Sequence, residues 1–115
     1  MMLDWNEYQK QLQRQIAEIG RSNREIVKGY RELSNAAIAT DLLGGKVREL
    51  IALAVAITRQ CDGCIITHVD AAIKQGVTKE ELIEAMSVAI AVNAGAALIF
   101  SARVMDAFNA KNSGV

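Results

Sequence analysis

The chain has 115 residues, enough for one domain with a single core and too few for two. Its 13 Lys and Arg balance 13 Asp and Glu, which excludes the electrostatic footprint of a nucleic-acid binder or of a protein held on an anionic membrane surface. With no proline, 51% apolar residues and only 4% aromatic ones, the composition predicts an all-α domain whose helices pack closely.

The N-terminal stretch "MMLDWNEYQKQLQRQ" has no apolar core and no small-residue cleavage site, so no signal peptide and a cytoplasmic location are expected. Trp5, Tyr8, Leu12, Ile16 and Ile19 recur at spacings of three and four, the stripe of a first amphipathic helix that Gly20 is expected to close. Trp5 and Tyr8 are expected to pack that helix onto the domain or a neighbour. Ser22-Asn23-Arg24-Glu25 reads as a capping box opening a second stripe through Ile26, Tyr30, Leu33 and Ala37. "TDLLGGK" supplies the next break, with Gly44-Gly45 free to turn.

A third helix is expected from about Lys46 to about Arg59, through the unbroken "LIALAVAIT". The segment "CDGCIITHVDAA" then opens a fourth, which ends at Gly76. Thr78-Lys79-Glu80-Glu81 is another capping box. It starts a long apolar stretch, expected to bend near Asn93-Ala94-Gly95, with Asn93 as a buried hydrogen-bonder, and to end near Lys111 ahead of a frayed "KNSGV". Ala85 to Ala102 carries no charge and sits at the lower length limit for a membrane span. Its Asn, Gly, Ser and many Ala residues favour instead a helix buried in a core or subunit interface, with "AGAALIFSA" packing between subunits.

The chemistry concentrates in Cys61-Asp62-Gly63-Cys64 and the single histidine, His68. On a helix starting at about Cys61, the two cysteines lie roughly 60° apart and Cys64 and His68 roughly 40° apart, so all three share one face. The helix N-terminus favours a thiolate on Cys61, and His68, one turn past Cys64, can take the Cys64 proton. Cys61 is expected to be the more accessible sulfur. If the third and fourth helices form an antiparallel hairpin, Glu49 lies about 16 Å back along one axis and His68 about 12 Å forward along the other, within reach of each other. Glu49 would then orient His68 and raise its basicity. These residues leave three readings open: a redox dithiol, a metal site, or two inert buried thiols.

The segment "KVRELIALAVAITRQCDGCIITHVDAAIKQGVTKEELIEAMSVAIAV" closely resembles the core of the carboxymuconolactone decarboxylase superfamily, within it the alkylhydroperoxidase D-like branch. Glu49, Cys61, Cys64 and His68 match that branch's motif of Glu, eleven residues, Cys-x-x-Cys, three residues and His. The resemblance covers about residues 46 to 105, giving a single domain over 1–115 with N-terminal helices over 1–40. It implies an all-helical fold of about five to six helices, assembled as a trimer or hexamer. It also implies a redox-active Cys61–Cys64 disulfide with no cofactor and no metal.

The implied activity is reduction of an organic hydroperoxide, or relay of electrons from a dithiol such as dihydrolipoamide or a lipoyl-bearing protein to a peroxiredoxin. In it Cys64 would be tied to a proton relay through His68 to Glu49, and Cys61 would be its disulfide partner and the point of attack by the reductant. No nucleic acid and no membrane are expected as partners. One departure stands out: the residue before the second cysteine, sometimes a histidine in this branch, is Gly63. Beside this reading stand a helical module holding zinc on Cys61, Cys64, His68 and Glu49, though without the usual second ligand pair, and a lactone decarboxylase variant that would work without its cysteines.

Overall fold

A computed structural model describes residues 1–114, and among them every regular element is an α-helix. The helices are α1 (Trp5–Ser22), α2 (Arg24–Thr40), α3 (Gly44–Arg59), α4 (Asp62–Lys74), α5 (Lys79–Phe100) and α6 (Ala102–Asn112). The all-α expectation holds, with six helices. Val115, the end of the tail expected to fray, lies outside the described residues.

Local chemistry sets the boundaries, and twice it overrides the expectation. Gly20 does not close α1, which runs on to Ser22. The residue that punctuates the first two helices is Asn23, extended at φ −148°, whose N–H donates to the Ile19 carbonyl while its side chain accepts from the Glu25 N–H. Ser22 is still inside α1, so it cannot cap α2. Gly20 serves packing instead: a Cβ there would stand 3.3 Å from Val27 Cγ2, so its absence lets α2 fold back onto α1. The second departure is at Asn93. Its amide donates at 2.8 Å to the Ala89 carbonyl and at 2.8 Å to Thr58 Oγ1 on α3, leaving the backbone of α5 unbroken. Asn93 is an exposed brace between helices, not a buried bend, and the break falls at Ser101.

The remaining junctions follow ordinary capping. Asp41 ends α2 in the left-handed region, and its carboxylate pairs with Arg48 in the next helix. Gly76, at φ +79°, follows the end of α4 while the Val77 N–H reaches back to the Ala72 carbonyl. Thr78 and Glu81 form a reciprocal capping box at the head of α5. The Thr78 backbone N–H, with help from Lys46 at 2.9 Å, holds the Glu81 carboxyl below the usual glutamate range.

α3 lies at the centre, packed against α4 on one side and α5 on another, while α1 lies on α4 and carries α2. The buried positions are Leu53 and Ala56 of α3, Ala72 of α4 and Ala89 of α5. Three of these four are alanines, which lets helix axes approach closely but buries little area per residue. The radius of gyration, 19.3 Å, exceeds the about 13 Å expected of a compact chain this long. Apolar side chains stand in the open on α2 (Ile26, Tyr30, Leu33) and on α5 and α6 (Leu98, Ile99, Phe108). The uncharged run 85–102, expected to be covered, has only Ala89 buried within the protomer. The segment Lys79–Asn112 is long and apolar enough to cross a membrane, by length and composition.

Candidate active site

The hairpin of α3 and α4 builds the site. At its closed end Gln60 adopts a left-handed conformation (φ 53°), its N–H directed at the last carbonyls of α3. That reversal delivers Cys61 to the N-cap of α4, where its sulfur accepts the Cys64 N–H at 3.2 Å. An N-cap side chain naturally turns toward the backbone of the third helical residue, and here the third helical residue is the second cysteine. The two sulfurs are joined as a disulfide, with Cα atoms 5.2 Å apart. At its open end the hairpin closes through Gly45, where any Cβ would collide with the Gln75 side chain.

One turn beyond Cys64, His68 Nδ1 lies 2.7 Å from Glu49 Oε2. The antiparallel hairpin therefore brings this pair together across 19 positions of sequence. Both side chains are part-buried, His68 31% and Glu49 20% exposed, sheltered enough to strengthen the contact and open enough to exchange protons. An ionised carboxylate only accepts, so with Glu49 charged Nδ1 carries a proton that it donates, and Nε2 of a neutral ring is left as an acceptor. Among the described residues no hydrogen bond joins His68 to either sulfur; a disulfide has no proton to share.

As whole residues, the two cysteines stand in the protomer in the reverse of the expected order of exposure. Cys64 is exposed and Cys61 only half so. The cap accounts for part of this: Cys61 is tethered at the end of α3 by its N–H to the Ala56 carbonyl (3.2 Å), while Cys64 lies in the first turn of α4. A further neighbour was not anticipated. Leu12 of α1 sits against Gly63, where an added Cβ would lie 2.9 Å from Leu12 Cδ2. The signal was faintly present, since Gly63 is the one residue of the Cys-x-x-Cys turn without a side chain and Leu12 lies on the first helix's apolar stripe. Among the described residues no three His, Cys, Asp or Glu side chains form a group able to hold a metal ion.

A helical hairpin bearing a Cys-x-x-Cys disulfide at one helix head, with a Glu–His pair one turn on, defines a class of thiol-bearing all-α proteins. The chain belongs to the carboxymuconolactone decarboxylase family, whose model matches residues 24–107, from α2 into α6. It is 37% identical over 113 residues to an uncharacterised protein of Haemophilus influenzae, covering 98% of this chain and 100% of that one. It is 38% identical over 82 residues to "uncharacterized protein 4 in cox locus" of Paracoccus denitrificans, covering 71% of this chain and 74% of that one. The crystal structure of an apo carboxymuconolactone decarboxylase family protein from Legionella pneumophila superposes with a TM-score of 0.73 at 32% identity. That likeness covers 91% of this chain and 94% of that one.

Proposed function

We propose that this protein is a thiol-disulfide oxidoreductase of the alkylhydroperoxidase D-like type, reducing organic hydroperoxides through Cys61 and Cys64. The observation that carries the reading is the disulfide at the head of α4 with the Glu49–His68 pair one turn away. In the reduced state, His68 Nε2 accepts the Cys64 proton while Glu49 stabilises the resulting imidazolium. The Cys64 thiolate attacks the terminal peroxide oxygen, the O–O bond breaks, and the alkoxide takes the proton to leave as an alcohol. Cys64 is then a sulfenic acid; Cys61 attacks its sulfur, water departs, and the disulfide closes. An external dithiol of the dihydrolipoamide kind reduces it through a mixed disulfide, leaving as its own disulfide.

A second reading is a dithiol relay between a lipoyl-bearing protein and a peroxiredoxin, with little peroxidase activity of its own. The exposure of the Cys64 residue favours it, because a bulky partner has room to approach the head of α4. Under either reading the protein works as a homo-oligomer, a trimer or hexamer, that covers its open apolar faces.

The test is intact mass after thiol alkylation, on reduced protein before and after one equivalent of an alkyl hydroperoxide. Both alkylation sites should vanish and return with dihydrolipoamide. Thiols that stay alkylatable after peroxide, but oxidise against an oxidised peroxiredoxin, leave the relay. Thiols inert to both overturn the redox reading.

A further inference from the structure

Between α1 and α2 lies an open cleft of about 1420 Å³. Its floor is apolar, made by Leu12, Ile16 and Ala17 of α1 and Val27 of α2. Its walls carry the cations Arg21, Arg24, Lys28 and Arg31 against two carboxylates, Glu25 and Glu32. The ion pairs among the described residues engage Arg14, Lys46, Arg48 and Lys74, and none of these four. The cleft thus carries four cations against two carboxylates, in a chain of zero net charge whose Lys10, Arg59, Lys79, Arg103 and Lys111 also stand outside these ion pairs.

The cleft reaches α4 near the disulfide, although Cys61, Cys64 and His68 do not line it. Gly20 and Val27 mark its hairpin end, where α1 and α2 meet. At the other end Thr67 of α4 lines it, three residues past Cys64, and Leu12 touches Gly63 between the two cysteines. From Gly20 to Leu12 the floor extends about 12 Å along α1. An apolar chain fits the floor, and an anionic head fits Arg21 and Arg24 at the hairpin end, where Glu25 is the neighbouring carboxylate. The uncharged run 85–102 of a second copy fits poorly, because it would take these cations out of water with no carboxylate in exchange.

We propose that the cleft binds long-chain fatty acid hydroperoxides, with the carboxylate at Arg21 and Arg24 and the chain along the α1 floor. A mid-chain peroxide is then presented beside Gly63. This deepens the peroxidase reading and rests on it. The step stays balanced: the fatty hydroperoxide becomes the fatty alcohol and water while the Cys61 and Cys64 thiols become the disulfide.

The first experiment needs no redox chemistry. Displacement of a fluorescent fatty acid by linoleate is measured for the wild-type protein and for Arg21→Glu/Arg24→Glu. Linoleate affinity should fall about tenfold in the double variant, the size expected of two exposed charge contacts. Methyl linoleate should bind without that dependence. Added salt should weaken linoleate binding to the wild type and not weaken the ester, which keeps the test open even if the variant folds poorly. The second experiment is the ratio of kcat/KM for linoleate hydroperoxide over its methyl ester, which should drop about tenfold in the variant. Equal binding of acid and ester, or no binding at all, overturns the proposal. So does a variant whose oligomer falls apart while linoleate never binds, since a second copy would then fill the cleft. Cation-dependent linoleate binding with no peroxide turnover would instead sink the peroxidase reading and leave a fatty-anion site.

Discussion

His68 has one productive tautomer available while Glu49 is ionised, because the carboxylate can only accept the Nδ1 proton. The pair therefore works as a unit, and its two members should fail differently. Under the proposed peroxidase reaction, His68→Ala removes the base and should slow Cys64 oxidation roughly 10²–10⁴-fold, the usual worth of a positioned general base. Glu49→Gln keeps the size but lets the ring turn or hold the wrong nitrogen protonated, so a smaller loss is expected. Stopped-flow peroxide reduction, with circular dichroism to show an unchanged fold, checks both; equal rates across all three proteins would remove the relay. The Glu49–His68 contact was legible in sequence because spacing determines where a helical hairpin puts the two residues, whereas the roles of all four site residues came with the family resemblance. The relative exposure of the cysteines was not legible. That depends in part on Cys61 being the cap rather than the first helical residue, a displacement of one position that helix geometry from sequence does not resolve.

At the scale of elements, the turn between α3 and α4 and the cap of α5 make opposite demands. Gln60 sits at φ 53°, where a side chain costs roughly 1 kcal/mol that glycine avoids. Gln60→Gly should hold or raise Tm, whereas Gln60→Val, β-branched in a left-handed position, should lower it; thermal unfolding of the oxidised protein distinguishes them. Thr78→Ala should cost about 1 kcal/mol by freeing the Glu81 N–H at the head of α5. Glu81 adds a pH signature. Its carboxyl is held below its ordinary range, so the folded state favours the ionised form. The contribution is complete above that ordinary range and is lost as pH falls through the lowered value. In Glu81→Ala the acid limb of Tm against pH should flatten; an unchanged limb would mean the carboxylate contributes nothing. The Thr78 box was readable because its spacing is its mechanism. Asn93 misled for the same kind of reason: an amide in an apolar run suggests a bend, but what it does depends on Thr58, 35 residues away.

At the scale of the molecule, the protomer is a hairpin core with two apolar arms. α2 rests on α1, α6 rests on α5, and the faces they turn outward are rich in Ile, Leu and Phe. Composition had indicated close helix packing, yet it could not say whether the partners of those faces lie in the same chain. A core this small buries little to set against the entropy of ordering six helices, and the proposed oligomer would supply further burial at these faces. Leu98, 76% exposed, tests this. On a truly free surface Leu98→Glu should change stability by less than about 0.5 kcal/mol. Within a subunit interface it buries an unpaired charge and should reduce the wild-type oligomer to smaller species with a lower Tm. Sedimentation equilibrium reads the mass directly. A wild type that sediments as a monomer, indifferent to Leu98→Glu, would mean the arms are not covered by copies of this chain.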